Sequence, residues 1–377
     1  MTQITNEPDP SPTILIAPDA FKGTASADEA AQWLGEGIRS IIKDAEITLV
    51  PMADGGEGTS ELFSGERITL PTTDAAGRLT EASYTFDASR STAYIDISAA
   101  SGLPAVADNP VPLTGDTYGT GVLVADAQTR GATRIVLGLG GSATVDGGTG
   151  ILVALGAQPL DAAGYNLAPG GGDLKRLADF DTATLNIPAG SVDWLLLADA
   201  LVPATGPRGA ARVFGPQKGA GPDDVEALDQ GLAHLCEVTG VDPATPGHGA
   251  AGAVAVGITW LSRLLHGTDE HVRVVPGARL VAEMHGVAEL LARASLVVTG
   301  EGRYDEQSPE GKVVSTVLRL AGEAGTTAAV AAGTIGHDLP EGVIGVELED
   351  LADTREQLRR AGAEIAVRYL RTSTIQG

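Results

Sequence analysis

The chain opens with a strand–helix–strand unit, and this unit sets the fold class. "TILIAPDAF" (13–21) is an apolar run of strand length, residues 26–43 carry apolar side chains at helical spacing, and "EITLVPMAD" (46–54) is a second strand. Ser26, with Glu29 three residues later, forms the capping-box pattern typical of a helix start. A helix that links two strands of one sheet forms a crossover connection, which is right-handed and joins parallel strands. The sequence therefore predicts an α/β fold.

The middle of the chain has a different character, which indicates a second domain. Residues 68–96 alternate and contain turn residues, as in antiparallel hairpins. A length of 377 residues also favours two domains, at about 150 residues each. We predict a Rossmann- or flavodoxin-like parallel-sheet domain built from both chain ends, with an inserted mixed α/β domain and a disordered lead. The predicted limits are 13–70 plus 285–377 for the first domain, 71–284 for the insertion and 1–12 for the lead.

Charge and cysteine content exclude several classes of partner. The formal net charge of −24 opposes binding to nucleic acid or to an anionic membrane, since both need a basic surface, but it leaves small anionic substrates possible. The one cysteine, Cys236, can form no disulfide within the chain, which suits a reducing cytoplasm. With no signal-peptide pattern and no long apolar run, we expect a cytoplasmic protein. The sequence leaves open whether it is a monomer or a homodimer.

Several predicted strands end in a cluster of glycines and acids. In open α/β sheets, ligands bind beyond the carboxyl ends of the strands, so we expect these clusters to converge on one cleft. The alternative is a set of unrelated turns, because glycine after a strand is common. The clusters are "PDAFKG", "PMADGGEGT", "LGLGGSATVDGGTG", "LADALVP" and "TGEGRYDEQ".

Three of the loops carry residues suited to anions or metal ions. The backbone N–H groups of "GLGGSATVDGGTG" (138–150) can cradle phosphates, or the glycines can serve close helix–strand packing. "RVFGPQKGAG" (212–221) presents Lys218 in an otherwise acidic chain, as phosphate or carboxylate capture requires, unless it is a solvated basic loop. The acids of "TGEGRYDEQSPEGK" (299–312) suit Mg²⁺, or else a helix cap with a salt bridge.

The absence of several catalytic motifs narrows the classes of reaction that the protein could catalyse. The chain has no Walker A loop, no protein-kinase H-R-D or D-F-G, no G-x-S-x-G and no H-E-x-x-H. Glycine backbone, basic residues and acids together favour phosphoryl transfer, in which catalysis is mainly positioning and charge stabilisation. The stretch "GLGGSATVDGGTG", taken alone, leaves a dinucleotide-dependent oxidoreductase as an alternative function.

Five stretches together resemble a known family. "IAPDAFKGTASADEAA", "PMADGGEGT", "GLGGSATVDGGTG", "RVFGPQKGAG" and "VVTGEGRYDEQSPEGK" are similar, in order and spacing, to signature stretches of the bacterial-type glycerate kinases, usually glycerate 2-kinases. The resemblance spans about residues 13–372. It implies ATP-dependent phosphorylation of D-glycerate, most often giving 2-phosphoglycerate, with ATP and Mg²⁺ as cofactors.

The resemblance also implies a set of site residues, although it leaves the general base open between Asp19 and Asp199. The catalytic candidates are Asp19, Lys22, Asp199 and Lys218. The candidates for binding substrate or phosphate are Gly140, Gly141, Ser142, Arg303 and Lys312. The candidate metal ligands are Asp54, Glu57, Glu301 and Asp305.

One position departs from the family pattern. Asp199 and Pro203 match it, but Val202 stands where asparagine is usual, so two amide donors and one acceptor are lost. A kinase of another small hydroxy acid, or a non-catalytic ligand-binding relative, therefore remains an alternative to a glycerate kinase.

Overall fold

The computed structural model describes residues 11–21, 23–199, 201–305, 312–350 and 352–373. The predicted site residue Lys22 lies outside these ranges. The predicted disordered lead also lies outside them, except for residues 11 and 12.

Helices and strands alternate along much of the described chain. The strands are β1 (Thr13–Ile16), β2 (Glu46–Leu49), β3 (Glu66–Thr73), β4 (Leu79–Asp87), β5 (Thr92–Asp96), β6 (Arg134–Gly138), β7 (Gln158–Asp161), β8 (Leu177–Asp181), β9 (Asp193–Leu197), β10 (Val272–Val275), β11 (Leu296–Glu301), β12 (Thr327–Ala332) and β13 (Ile344–Glu347). The helices are α1 (Ala27–Ile41), α2 (Ser98–Ser101), α3 (Tyr118–Thr129), α4 (Thr149–Ala154), α5 (Ile187–Gly190), α6 (Ala210–Phe214), α7 (Pro222–Thr239), α8 (Ala250–His266), α9 (Gly277–Met284), α10 (Val287–Leu291), α11 (Val313–Ala324) and α12 (Thr354–Ser373).

The chain divides into two compact units. Unit 1 is Met1–Ala53 with Ala278–Gly377, and unit 2 is Asp54–Gly277. The boundaries predicted from the sequence, near residues 70 and 285, lie further along the chain. The first boundary differs in part because β3 pairs with β4 along its whole length, from Glu66 opposite Phe86 to Thr73 opposite Leu79, and so belongs to unit 2.

Unit 1 contains a parallel five-stranded sheet in the order β13-β12-β11-β1-β2. With the strands of the unit numbered in chain order, this is the doubly wound order 2-1-3-4-5. The capping box predicted for α1 is present, because Ser26 accepts from the Glu29 N–H and the Glu29 carboxylate accepts from the Ser26 N–H. The predicted α/β class and parallel sheet are confirmed. The central strand β11 pairs with β1, so this sheet needs both ends of the chain.

Helices α1 and α12 of unit 1 touch through glycine. A Cβ atom on Gly37 would lie 2.0 Å from the Arg359 carbonyl oxygen, and one on Gly362 would lie 2.2 Å from the Leu34 carbonyl oxygen. The two backbones are therefore closer than any other residue would allow. Around this contact, buried aliphatic side chains such as Leu34, Ile38 and Leu358 fill the core.

Unit 2 contains a mixed six-stranded sheet in the order β10-β9-β6-β5-β4-β3. β3, β4 and β5 are antiparallel, as the hairpin pattern of 68–96 predicted, and β5, β6, β9 and β10 are parallel. Asp96, Gly138 and Leu197, the last residues of β5, β6 and β9, therefore meet at one sheet edge. Unit 2 also contains the antiparallel pair β7–β8.

Helix α8 becomes regular only after a left-handed turn at its start. Ala251, Gly252 and Ala253 have φ angles of 52°, 69° and 67°. Left-handed backbone costs an alanine about 1–2 kcal/mol. A Cβ on Gly252 would lie 2.2 Å from the Thr144 carbonyl oxygen, so packing against the loop after β6 requires glycine here.

Replacing Gly37 by alanine should destabilise the protein by about 1–3 kcal/mol, because the added methyl group overlaps the α12 backbone. Gly322→Ala in α11 is the matched control. Its Cβ would meet nothing within 4 Å, so it should stabilise the protein by roughly 0.5–1 kcal/mol through helix propensity. Thermal and denaturant unfolding of both variants test this. Equal stability of Gly37→Ala and wild type would contradict the close contact.

Candidate active site

The glycine loop, residues 139–148, connects β6 to α4 in unit 2. The Gly140 N–H donates to the Gly55 carbonyl oxygen at 2.9 Å, and the Leu139 N–H donates to that of Leu197 at 3.1 Å. A Cβ on Gly140 would lie 2.6 Å from the Gly56 Cα. The glycines of "ADGGEGT" and of the glycine loop are thus in part a packing requirement, since the two loops touch backbone to backbone.

The glycine loop is also held by the segment after β5. The Leu103 N–H donates to the Gly141 carbonyl oxygen at 2.9 Å, and the Ala143 N–H donates to that of Ser101 at 2.8 Å. Gly141 has a φ of 75°, a conformation that favours glycine. The loop backbone is therefore fixed by hydrogen bonds to three neighbouring segments.

Lys218 reaches the glycine loop from the short 3₁₀ turn Pro216–Lys218. Its side chain is buried, with the residue 4% exposed. Its Nζ donates to the Ser142 Oγ at 2.9 Å and to the Thr144 carbonyl oxygen at 2.6 Å. The sequence suggested a lysine displayed on a basic loop; instead it points inward. Burial lowers the pKa of Lys218 to about 7, and the charge of Asp146 opposes this shift.

The neighbouring basic residues do not share this environment. Arg212 is exposed and forms salt bridges to Glu226 at 2.8 Å and to Asp229 at 3.0 Å, and Arg208 is also exposed. Of these three cations, Lys218 is therefore buried and the two arginines lie at the surface.

Two buried hydroxyl groups lie next to this lysine and loop. Thr144, 0% exposed, has no hydrogen-bond partner for its Oγ1 among the described residues, and the same is true of the Ser98 Oγ. The Ser98 Oγ would lie 3.9 Å from a Cβ on Gly141. Buried polar groups are normally satisfied, so unused hydroxyls here are compatible with a polar ligand.

Asp146, at the end of the glycine loop, was not among the predicted site residues. It is 0% exposed. Its carboxylate accepts from the Thr117 N–H at 2.9 Å, the Thr117 Oγ1 at 2.8 Å, the Gly148 N–H at 3.1 Å and the Gly150 N–H at 3.0 Å. The signal available in the sequence was an aspartate inside the glycine cluster "TVDGGTG".

Asp96 is a second acid that the sequence analysis missed. It ends β5, is 4% exposed, and accepts from the Ser60 Oγ at 2.9 Å, the Ser60 N–H at 3.0 Å and the Gly58 N–H at 3.1 Å. It thereby anchors the loop that carries Asp54 and Glu57. Burial raises the pKa of Asp96 to about 6, although the hydrogen bonds from Ser60 act in the opposite direction.

The predicted acids of unit 2 occupy two loops. The Asp54 Oδ1 accepts from the Gly56 N–H at 3.0 Å, and Glu57 is exposed. The Asp199 Oδ1 accepts from the Gly277 N–H at 2.9 Å. A Cβ on Gly277 would lie 2.1 Å from the Asp54 carbonyl oxygen, so Gly277 contacts the Asp54 backbone and the Asp199 side chain.

Val202, the departure from the family pattern, is half-buried beside Gly249. Its carbonyl oxygen accepts from the Gly249 N–H at 2.8 Å. Because this bond is formed by backbone atoms alone, it does not depend on which side chain stands at position 202.

The predicted residues of unit 1 follow the adjacent strands β1 and β11. The Asp19 N–H donates to the Gly300 carbonyl oxygen at 2.8 Å, and Glu301 is buried. Arg303 is exposed, with its Nε 3.6 Å from the Asp305 Oδ2. Lys312 is the N-cap residue of α11. Asp19, Glu301, Arg303 and Asp305 thus lie at or shortly after the carboxyl ends of β1 and β11, and Lys312 lies at the start of α11.

These acids could offer a metal ion only a small number of hard oxygen ligands. In the ranges that the structure describes, no three histidine, cysteine, aspartate or glutamate side chains form a group that could hold a metal ion. Mg²⁺ usually takes one or two carboxylates and completes its shell with waters and substrate phosphates. The acids of these loops fit that mode, and a metal cage made by protein alone does not fit.

The helices of the described chain include none long and apolar enough to cross a membrane.

Comparison with known proteins gives one consistent family. The model of the glycerate kinase family matches residues 14–366. A glycerate kinase of Halalkalibacterium halodurans is 38% identical over 336 residues, covering 86% of each chain. Glycerate 2-kinase of Escherichia coli is 39% identical over 319 residues, covering 82% of this chain and 81% of its own.

A solved structure leads to the same family. The crystal structure of a protein assigned as glycerate kinase 2, from Salmonella typhimurium LT2, has a TM-score of 0.78 and 33% sequence identity to this chain. The match covers 97% of this chain and 99% of the other. The resemblance predicted from the five sequence stretches is confirmed: the chain belongs to the glycerate kinase family.

Proposed function

We propose that this kinase transfers the γ-phosphoryl group of ATP to the 2-hydroxyl of D-glycerate, giving 2-phosphoglycerate in the cytoplasm. The observation that carries the proposal is the buried ammonium group of Lys218, hydrogen-bonded to the glycine loop. The named glycerate 2-kinase among the relatives supports the 2-position.

The glycine loop and Lys218 form the phosphate-binding part of the proposed site. Gly140, Gly141 and Ser142 provide the loop backbone and a hydroxyl group, and Lys218 provides positive charge. Phosphoryl transfer spreads negative charge over the equatorial oxygens in the transition state, so a fixed cation stabilises that state. The stabilisation is larger at a buried position, because the local dielectric constant is lower than that of water.

An aspartate accepts the proton of the attacking hydroxyl. Asp199 is our candidate in unit 2, since the Gly277 N–H holds one of its carboxylate oxygens in place. Asp19 is the candidate in unit 1. Of the remaining predicted residues, Lys22, Arg303 and Lys312 are assigned to phosphate or to the glycerate carboxylate.

The proposed Mg²⁺ ligands are one or two of the four candidate carboxylates, from Asp54 and Glu57 in unit 2 or from Glu301 and Asp305 in unit 1. When bound, the ion would neutralise charge on the phosphates of ATP. Asp54 and Asp96 both hold the "ADGGEGT" loop, Asp54 through the Gly56 N–H and Asp96 through Gly58. The chain's own contribution is therefore a rigid loop that presents its carboxylates in a defined place.

The purified protein should release ADP from MgATP only when D-glycerate is present, and phosphorus NMR should show a 2-phosphate product. Other small hydroxy acids serve as the comparison substrates, because Val202 alters a position that could touch the acceptor. A 3-phosphate product would contradict the proposed position. No glycerate-dependent ADP from folded protein would contradict the acceptor.

Lys218→Ala should lower kcat/KM by at least about a hundredfold, the scale expected for one lost electrostatic stabiliser. Lys175→Ala is the control, because Lys175 is an exposed lysine of a 3₁₀ turn in the same unit. Thermal unfolding would establish that both variants are folded. Near-normal kinetics of folded Lys218→Ala would refute the role of this lysine.

The activity should decline as the pH rises through about 7. Lys218 has a pKa of about 7 in the folded protein, so its charge is present below that pH and lost above it. The profile of kcat/KM reports the free enzyme and should show this alkaline limb. Lys218→Arg keeps its charge throughout the range and should lack the limb. An unchanged limb in an active Lys218→Arg enzyme would assign it to another group.

A further inference from the structure

The glycine loop contains a buried carboxylate, that of Asp146, to which the proposed function assigns no role. Its four hydrogen bonds come from Thr117, Gly148 and Gly150, and all four donors are uncharged. The donors precede or begin α3 and α4, so this one side chain joins the starts of two helices to the end of the glycine loop.

The charge of Asp146 acts on two titratable groups of the described chain, one on each of two neighbouring segments. Lys218, from the turn Pro216–Lys218, is the neighbouring cation, and the Asp146 charge raises its pKa against the effect of burial. Asp116, from the segment before α3, is the neighbouring anion. Burial first, and the Asp146 charge second, raise the pKa of Asp116 to about 6.

Within the described ranges, Lys218 makes no hydrogen bond to a carboxylate. Its Nζ contacts are a hydroxyl and a carbonyl oxygen, both from the glycine loop. A fully buried ammonium group with neutral acceptors tends to lose its proton, so its charge depends on a nearby anion. Asp146 lies two residues beyond Thr144, which accepts one of the two bonds.

We propose that Asp146 is a positioning residue: its carboxylate fixes the end of the glycine loop and keeps Lys218 in the charged form beneath Ser142. The catalytic value of this arrangement rests on the proposed function, in which the charge of Lys218 stabilises the transferred phosphoryl group. The electrostatic coupling of the two side chains does not depend on any substrate.

Asp146→Asn removes the charge with little change of volume. The asparagine NH₂ group is a donor and would face N–H donors that the carboxylate accepted from, so some loss of stability is expected. Asp146→Ser is the second charge-removing variant, since a hydroxyl can accept from these donors. Thr117→Val is the matched control: it breaks the 2.8 Å bond to Asp146 and leaves the carboxylate charge in place.

The decisive measurement is the titration of Lys218 itself, followed by NMR of protein labelled at lysine side chains. The chain has five lysines, and the spectrum of Lys218→Ala identifies the relevant signal. Both charge-removing variants should shift the Lys218 titration down by about one pH unit, the lower end for loss of a nearby opposite charge. Thr117→Val should leave it nearly unchanged.

The kinetic counterpart is the alkaline limb of kcat/KM. It should move to lower pH in Asp146→Asn by the same amount, and Asp146→Asn in the Lys218→Arg background should produce no such shift. A Lys218 titration that stays unmoved in folded Asp146→Asn and Asp146→Ser would overturn the proposal. Failure of the proposed function would appear differently, as wild-type enzyme that forms no ADP with glycerate while the titration still shifts.

Discussion

The contact on which the described site depends is the pair of hydrogen bonds from the Lys218 Nζ to Ser142 and Thr144. It joins the turn after α6 to the glycine loop, segments separated by more than seventy residues in the chain. The bonds are made at a fully buried position, where an ammonium group is costly unless its hydrogens are accepted and its charge is balanced. Ser142, Thr144 and Asp146 meet these demands in a single loop.

Close backbone packing explains why the same loops are rich in glycine. Gly55 and Gly56 lie against Gly138, Gly140 and Leu197, at distances that leave no room for a Cβ. On the other side, Gly252 lies against the Thr144 carbonyl oxygen within a left-handed turn. The glycine loop is thus enclosed by three segments of unit 2. Such rigidity suits a reaction in which catalysis consists largely of fixed charge and position.

Acids at the sheet edge of unit 2 divide by environment. Asp96 and Asp146 are buried and saturated with backbone and hydroxyl donors, so they hold loops in place. Asp54 is half-buried and Glu57 is exposed, so these two remain accessible to a ligand. The two kinds of acid differ in how many hydrogen-bond donors the fold brings to each.

The strands, the capping box of α1, the hairpins of 68–96 and the α/β class could be predicted from the sequence, because each depends on local periodicity or short-range hydrogen bonds. The family could also be predicted, because its signature stretches are contiguous. The inward direction of Lys218 and the anchoring roles of Asp96 and Asp146 could not. They depend on which segments the fold brings together. The local sequence of Lys218 is that of a surface loop, and only its tertiary contacts with the glycine loop bury its side chain. The assignment of β3 to unit 2 likewise depends on tertiary pairing, since only the β3–β4 ladder shows to which sheet that strand belongs.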